Sequence, residues 1–255
     1  MGAASNHLGD SVACRHRFEC IHSPEFRPEG GGDDLQAWEE GVLIHVGAEA
    51  SVSSGLFLGL PAVRKVRRPR AYRNPKLDRR LTKHRMTIEA RLLARLSDHD
   101  LPIPNLLAFE ESSGVLIQTL MPGQQLANRL RAGGEAEDIL TKSGEMIRKL
   151  HSLGAVHGDL TTSNILWDGD SGVSLIDFGL SMWTTEVERM GLDLQVLSEC
   201  LSASHPEYEK ALDWVFAGYS NAEDLDYGGS DSPPPDASEV LKRYDVIRSR
   251  VRYHS

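Results

Sequence analysis

The chain has 255 residues, of which 40% are hydrophobic, and a formal net charge of −9. This length suits one large domain or two lobes, and the apolar content supports a packed core. No apolar run approaches the ~20 residues that a membrane helix needs, so we expect no membrane association. Three cysteines give no disulfide framework and no signal peptide opens the sequence, which favours a reducing intracellular compartment.

Residues 1–37 are predicted to form an extension without a fold. They show little apolar periodicity and end in a Gly-Gly-Gly-Asp-Asp run at 30–34. Two lobes should follow: a small lobe over residues 38–121, and a compact large lobe with a basic tail over residues 122–255.

The small lobe begins with two predicted strands, at 42–46 and up to Phe57. Between them lies Gly47-Ala48-Glu49-Ala50, a loop with one glycine in the place where a phosphate-cradling loop usually has three. Glu49 would bring negative charge near the phosphates of a nucleotide. A turn at 59–61 leads to a third strand at 62–66.

Lys65 on that third strand is the candidate to reach nucleotide phosphates. Apolar residues at steps of three and four predict an amphipathic helix over 75–96. Glu89 is nearly alone as an acid on this helix and lies beside its apolar stripe. We therefore predict a Lys65–Glu89 ion pair that fixes the ammonium, as the strand–helix pair does in kinases.

The segment from Arg64 to Arg95 is strongly basic. It holds 13 of the 28 Lys and Arg residues, against Asp78 and Glu89 as its acids. Such a surface attracts phosphate backbones, and tRNA is therefore a possible partner here and at the basic tail. A solvated helix with basic faces explains the composition equally well.

Two further apolar runs, at 106–109 and 115–120, complete a small antiparallel sheet. Leu120 and Met121 precede Pro122-Gly123 and form the predicted hinge beneath an adenine. Helices are predicted over 138–153, 187–201, 207–219 and from residue 238 onward, with a loop at 220–238.

The residues that carry chemistry follow the first of these helices. Asp159 stands five positions before Asn164, and an apolar strand then ends in Asp177-Phe178-Gly179. Apolar segments 165–167 and 173–176 form a hairpin that should bring Asn164 and Asp177 together. One carboxylate, Asp159, would orient the acceptor, while Asn164 and Asp177 would hold Mg²⁺ against the phosphates of ATP. This pattern predicts an α+β, bilobal, protein-kinase-like fold.

The large lobe is predicted to be compressed. Asp193 follows Asp177 by 16 positions, too few for an activation segment and a peptide-docking platform. Gly158 replaces the arginine that would read a phosphorylated activation loop, and Thr161 replaces a lysine that many kinases aim at the phosphate. The nucleotide machinery is therefore present and the peptide-recognition machinery mostly absent.

These motifs together resemble the small atypical kinase/ATPase subunit of the KEOPS (EKC) complex, the PRPK family. The resemblance covers about residues 40–252, and the short loop at Gly47 is typical of that family. The tail and the 230–235 region fit less well. The matching residues are Lys65, Arg67, Pro69, Arg70, Tyr72, Arg73, Pro75, Leu77 and Asp78, then Arg85, Thr87, Glu89 and Ala90, then 157–164 and 176–181.

The resemblance implies a cytoplasmic and nuclear protein that supports threonylcarbamoyladenosine (t6A) synthesis on tRNAs reading ANN codons. Such a subunit binds ATP with Mg²⁺, hydrolyses it or phosphorylates itself, and contacts the threonylcarbamoyl transferase subunit and other KEOPS subunits. Family members are also described as Ser/Thr protein kinases.

Other functions stay open at this point. The chain could be a stand-alone Ser/Thr kinase, or a small-molecule phosphotransferase of the aminoglycoside-kinase type, although it is short for that type's helical insertion. A pseudokinase scaffold is disfavoured because Lys65, Glu89, Asp159, Asn164 and Asp177 are all present. Ser255, after Arg250 and Arg252, has the spacing of a phosphorylation site for a basophilic kinase.

Overall fold

The computed structural model describes residues 37–46, 50–67, 75–229 and 232–252, and for 67, 75–83 and 251–252 it describes the backbone alone. Outside the described residues lie 1–36 of the predicted 1–37 extension, the loop residues Gly47, Ala48 and Glu49, and Ser255. In the described part, no helix combines the length and the apolarity needed to cross a membrane.

The small lobe, here called the N-lobe, is a five-stranded antiparallel sheet with one long helix, and the large lobe is here called the C-lobe. The strand order is β1-β2-β3-β5-β4, so β3 is central and β1 and β4 are edges. The elements are β1 (Trp38–Val46), β2 (Ala50–Phe57), β3 (Leu60–Arg67), α1 (Pro75–Leu96), β4 (Leu106–Glu110) and β5 (Val115–Thr119).

The turn between β2 and β3 lies one residue earlier than predicted. It is formed by Leu58 and Gly59, whose backbone φ angles are 51° and 79°. Two consecutive residues in this left-handed region form the tight turn that joins antiparallel strands. Leu60 and Pro61, which the sequence assigned to the turn, instead pair with Phe57 and Leu56.

The C-lobe is mostly helical and includes short strands around the site. The predicted 165–167/173–176 hairpin is present as β8 and β9, and α2 was not predicted because its seven residues are too few to show a clear period. The elements are β6 (Gln124–Gln125), α2 (Leu126–Ala132), α3 (Ala136–Ser152), β7 (Ala155–Val156), β8 (Ile165–Asp168), β9 (Gly172–Leu175), β10 (Met182–Trp183), α4 (Val187–Ser204), α5 (Ala211–Asn221) and α6 (Ala237–Arg252).

Helices α3 and α5 cross at very short range in the C-lobe core. A Cβ atom at Gly144 would lie 1.9 Å from the Val215 carbonyl oxygen, and one at Gly218 would lie 1.8 Å from that of Thr141. The absence of side chains at both glycines therefore permits this crossing. Helix α3 ends at Ser152, shortly before β7 and the loop that carries Asp159.

Helix α1 connects the two lobes. Met86 and Ala90 pack with Leu116 of β5 in a small N-lobe cluster. Further along the same helix, Leu93 and Leu96 belong to the large C-lobe core. The architecture is thus α+β with a β-rich N-lobe and a helical C-lobe, as predicted.

Candidate active site

A buried ion pair links the central strand of the sheet to α1. On β3, Arg64 pairs with Glu40 at the surface, whereas Lys65 lies on the other face of the strand. The Lys65 Nζ atom lies 2.5 Å from Glu89 Oε1, and the Glu89 side chain is 1% exposed. The predicted Lys65–Glu89 contact is confirmed.

Lys65 also lies close to a second carboxylate, since its Nζ atom is 3.2 Å from Asp177 Oδ1. Burial disfavours the charged ammonium, but attraction by Glu89 and Asp177 outweighs this and raises the pKa of Lys65 above its ordinary value. Lys65 is therefore protonated at neutral pH and forms a fixed positive charge, which suits phosphate oxygens.

The loop between β7 and β8, residues 157–164, carries both Asp159 and Asn164, and we call it the Asp159 loop. The Asn164 side-chain amide donates to the Asp159 carbonyl oxygen at 2.8 Å and to its carboxylate at 3.2 Å. The Ile176 N–H in turn donates to the Asn164 carbonyl oxygen at 2.9 Å. The hairpin thus brings Asn164 beside the strand that leads to Asp177, as expected.

Asp177 has a backbone φ of 66°, in the left-handed region that residues other than glycine rarely adopt. Such conformations persist where the surroundings hold them, and they cluster at functional sites. Here Phe178 is fully buried and its ring centroid lies 4.8 Å from that of His157. The Asp177 carboxylate is 51% exposed and lines the same cavity as Asn164.

The side chains of Asn164 and Asp177 fit a magnesium site. A carboxylate and a side-chain amide oxygen are hard oxygen ligands, which Mg²⁺ prefers, and Mg²⁺ is commonly held by one or two such groups plus phosphates. Both residues line the cavity together with Lys65, and Asp177 contacts the Lys65 ammonium. One carboxylate and one neutral amide oxygen therefore share the cavity with a fixed positive charge.

The cavity between the lobes has a volume of about 650 Å³. Its apolar walls include Val52 and Val63 from the sheet, Leu166 from β8, and Ile176, which directly follows β9. The remaining lining residues are Ile44, His45, Lys65, Pro104, Gln118, Thr119, Leu120, Met121, Gly123, Gln125, Ser163, Asn164 and Asp177. This volume and mixed lining are typical of a small-molecule site.

Five of the eight predicted cofactor residues lie in the described part of the chain, and four of these line the cavity: Lys65, Leu120, Met121 and Asn164. Leu120 and Met121 of the predicted hinge line it together with Gly123. Ala50 begins β2, half-buried, and is not among the lining residues of the described part.

A buried aspartate that sequence reasoning did not assign holds the Asp159 loop. Asp193 on α4 is 2% exposed, and its carboxylate accepts the backbone N–H of His157 at 2.6 Å and of Gly158 at 2.8 Å. An acid between the apolar positions Met190 and Leu194 was the available signal, since a buried acid requires partners. Asp193 is therefore a positioning residue for Asp159.

The polar network continues from Asp193 into the C-lobe core. His151 Nε2 lies 3.3 Å from Asp193 Oδ2, and His151 Nδ1 lies 2.8 Å from the Tyr219 hydroxyl. Burial raises the pKa of Tyr219 well above its ordinary value, so its hydroxyl stays protonated. The Asp193 carboxylate favours the His151 tautomer with its proton on Nε2, and in that tautomer the Tyr219 hydroxyl donates to Nδ1. The Arg148 guanidinium, which lies 5.7 Å from the centre of the Tyr219 ring, pairs through two nitrogens with the Asp224 carboxylate.

The segment after Asp177 is short, as predicted. Eight positions separate Gly179 from Val187, the first residue of α4, and β10 within them pairs with β7. A Cβ atom at Gly158, whose φ is 81°, would lie 2.1 Å from the Leu180 carbonyl oxygen. The arginine that Gly158 replaces therefore has no room in this arrangement.

Comparisons with known proteins agree with this architecture. A family model described as RIO domain matches residues 62–199. Among solved structures, the Rio2 kinase–ADP/Mg²⁺–phosphoaspartate complex of Chaetomium thermophilum aligns with a TM-score of 0.56 and 15% identity, over 86% of this chain and 73% of that chain. At this identity the likeness shows the fold alone.

Relatives found by sequence have about twice the sequence identity to this chain that the Rio2 kinase structure has. The EKC/KEOPS complex subunit BUD32 of Gibberella zeae is 31% identical, over 84% of this chain and 86% of its own length. The EKC/KEOPS complex subunit Tp53rkb of Mus musculus is 32% identical, over 84% and 87%. A probable bifunctional tRNA threonylcarbamoyladenosine biosynthesis protein of Methanothermobacter thermautotrophicus is 31% identical over 95% of this chain, which spans 42% of that relative.

The fold and the polar groups of the cavity define the class as an atypical, protein-kinase-like protein with a compressed C-lobe. The chain belongs to the RIO domain family and, within it, to the family of EKC/KEOPS complex subunits that includes BUD32 and Tp53rkb. The resemblance seen in the sequence is thereby confirmed.

Proposed function

We propose that this chain is the ATP-dependent phosphotransferase and ATPase subunit of a KEOPS-type complex that supports t6A modification of tRNAs reading ANN codons. The names of its relatives point to this complex and this modification. One observation from the chain itself carries the enzymatic part: Lys65, held by buried Glu89, stands 3.2 Å from Asp177 at the polar end of a large cavity.

Each polar residue has a role in the proposed mechanism. Lys65 binds phosphate oxygens, and Glu89 keeps its ammonium in place. Asp159 orients the attacking hydroxyl and accepts its proton, while Asn164 fixes Asp159 through two hydrogen bonds. Leu120 and Met121 line the end of the cavity that receives the base.

Asn164 and Asp177 would hold Mg²⁺. Bound there, the ion would supply positive charge against the negative charge that develops during transfer. The contact between Lys65 and Asp177 places a cation and a metal-binding carboxylate around the same phosphates, so positioning and electrostatics supply most of the rate enhancement.

The compressed C-lobe favours a small acceptor over a protein substrate. With β10 paired to β7 and α4 beginning at Val187, the described residues offer little surface for an extended peptide beside Asp159. We propose water or the chain's own residues as acceptor, and the threonylcarbamoyl transferase subunit as the partner that docks on this face. We place the complex in the cytoplasm and nucleus.

Contact with tRNA is proposed through the basic 64–95 segment and the C-terminal tail. Helix α6 carries Arg248 and Arg250, both exposed, toward the end of the chain. Phosphate contacts by such residues release counterions, so tRNA binding should weaken steeply as salt rises.

Phosphate release tests the proposal. The chain with ATP and Mg²⁺ should show weak turnover that rises when the purified transferase subunit is added. Lys65→Ala should abolish turnover both without and with that subunit. Lys210→Ala, which changes an exposed lysine at the start of α5, is the matched control and should behave like the wild type.

The competing functions give different results in the same assay. Efficient phosphorylation of added proteins without a response to the transferase would support a stand-alone Ser/Thr kinase. Transfer to small alcohols or amino sugars would support a small-molecule phosphotransferase. If the chain binds nucleotide but shows no turnover, either alone or in the complex, its function would be that of a pseudokinase scaffold.

A further inference from the structure

A buried amide oxygen without a hydrogen-bond partner among the described residues belongs to a residue that lines the cavity. Gln118 is 3% exposed, and its Oε1 atom accepts no hydrogen bond within the described part of the chain. The same residue lines the cavity between the lobes. Buried polar groups in proteins are nearly always hydrogen-bonded, so an exception indicates a missing partner such as a ligand.

The strand register shows where this amide lies. In β5, Gln118 pairs with Val63 of β3 on one side and with Leu106 of β4 on the other. Gln118 shares a face of β5 with Leu116, which packs against α1. The amide therefore sits on a central part of the sheet, on the side that faces the cavity and α1.

Packing does not explain a glutamine at this position. An apolar side chain of similar volume, such as methionine, would fill the same space without burying a polar group. A residue that costs stability where an apolar one would serve is better explained by what the cavity binds.

The cavity has distinct ends for the phosphates and for the base. Lys65 contacts Asp177 and pairs with Leu116 of β5, and these residues mark the phosphate end. Leu120 and Met121, which also line the cavity, follow Leu116 by four and five positions and mark the other end. A flat ring between them would lie under Val63, the strand neighbour of Gln118. The Gln118 amide would then face the edge of that ring.

We propose that Gln118 hydrogen-bonds the 6-substituent of a purine ring and thereby lets this chain use GTP as well as ATP. The 6-amino group of adenine donates a hydrogen bond, which Oε1 can accept. The 6-oxo group of guanine accepts one, which Nε2 can donate. A half-turn of the amide about its last side-chain bond exchanges these two atoms, so the amide can present either one to the ring. This inference rests on the proposed nucleotide-dependent function.

The test compares nucleotides and three variants of the full chain. Gln118→Met keeps the volume and removes both hydrogen bonds. Gln118→Glu keeps the shape and can accept but, when ionised, cannot donate. Gln195→Met is the matched control, because Gln195 on α4 is also a buried glutamine with an unpartnered Oε1 but does not line the cavity. The readouts are nucleotide affinity, and kcat/KM for phosphate release from ATP and from GTP.

The wild type should release phosphate from GTP with kcat/KM within about tenfold of that for ATP, because one neutral hydrogen bond is available to either base. Gln118→Met should lower kcat/KM for both nucleotides about three- to tenfold. Because burial raises the pKa of the new carboxyl group, Gln118→Glu should lower the GTP value while sparing the ATP value only at a pH high enough to ionise it. Gln195→Met should leave the ratio of the two unchanged.

A nucleotide series tests the same contact without any substitution. The riboside triphosphate of unsubstituted purine lacks the 6-substituent, so its dissociation constant should exceed those of ATP and GTP by about three- to tenfold. This measurement holds even if a Gln118 variant fails to fold.

Two outcomes would overturn the inference. If the wild type binds ATP but ignores GTP, and unsubstituted purine triphosphate binds as tightly as ATP, Gln118 does not read the base, while the proposed function stands. If the wild type binds neither nucleotide, the proposed function fails and the inference fails with it.

Discussion

Asp193→Asn tests how the Asp159 loop is held. The Asp193 carboxylate accepts two backbone N–H groups, of His157 at 2.6 Å and of Gly158 at 2.8 Å. Asparagine has the same shape but one acceptor oxygen, so its amide nitrogen would face an N–H donor. One buried N–H would lose its acceptor, and two donors would be forced together.

The expected loss of stability can be estimated. A hydrogen bond to a charged acceptor contributes about 1.5–3 kcal/mol, and a buried donor left unpaired costs a similar amount. Since one of the two bonds survives, we expect a net loss of about 3 kcal/mol in the free energy of unfolding. For a chain of this size that corresponds to a fall in Tm of about 6–12 °C.

In Asp193→Asn, turnover should fall even at temperatures at which the variant is fully folded. Both N–H groups belong to the residues directly before Asp159, so a shift of the loop displaces this carboxylate. A displacement of about 1 Å can lower a rate about 100-fold. The assays are thermal unfolding and phosphate release from ATP at a temperature at which the variant is folded.

Asp213→Asn is the control, because Asp213 is an exposed acid on the neighbouring α5. It should match the wild type in both assays. If Asp193→Asn melts within about 2 °C of the wild type and keeps turnover within about twofold, the loop is held by other contacts and the reasoning is wrong.

Three further changes give separate predictions. Gly158→Ala should destabilise the fold by about 2 kcal/mol or more, measured by urea unfolding, because its Cβ would lie 2.1 Å from the Leu180 carbonyl oxygen at a φ of 81°. Glu89→Gln should raise the KM for ATP and lower kcat about tenfold or more, because Lys65 loses a buried partner charge 2.5 Å away. Burial lowers the pKa of His205 below its ordinary 6.5, so the unfolded chain binds a proton more readily and stability is lost as pH falls below about 6.5. His205→Asn should reduce this loss, measured as the difference in urea unfolding between about pH 7.5 and about pH 5.5.

Local periodicity explains why much of the site could be predicted. Alternation along β3 places Lys65 on the inner face, and the helical period of α1 places Glu89 beside its apolar stripe. The hairpin of β8 and β9 then joins Asn164 to Asp177 across a short turn. Each of these contacts follows from patterns within one element or between adjacent elements. The division at residue 121 and the residue roles in catalysis stay predictions.

The remaining parts depend on contacts that spacing does not encode. Asp193 lies 35 and 36 positions after the N–H groups that it binds, and nothing in its sequence surroundings selects those partners. Gln118 occupies a strand position where alternation predicts only that it faces inward. Its missing partner becomes visible only when the neighbouring strands and α1 enclose it. Tertiary closure, and not local propensity, determines both features.

The structure gives a different reason for the glycine at position 158 than the sequence does. In the sequence, Gly158 stands where an arginine would read a phosphorylated activation loop. In the structure its missing side chain makes room for the Leu180 backbone, which holds the short segment after Asp177 against the Asp159 loop. The glycine is therefore required by the compressed lobe.

Two further contacts fix the same segment. β10 pairs with β7, and the Arg95 guanidinium at the end of α1 lies 3.5 Å from the centre of the Trp183 ring in β10. Since α1 also carries Glu89, this stack links the segment after Asp177 to the residue that holds Lys65. Strand pairing, backbone packing and one cation–π contact thus join the segment after Asp177 to the Asp159 loop and to α1. None of these contacts requires a phosphorylated side chain. A partner that raises turnover would then act on the nucleotide or its acceptor, because the chain itself already holds the Asp159 loop in place.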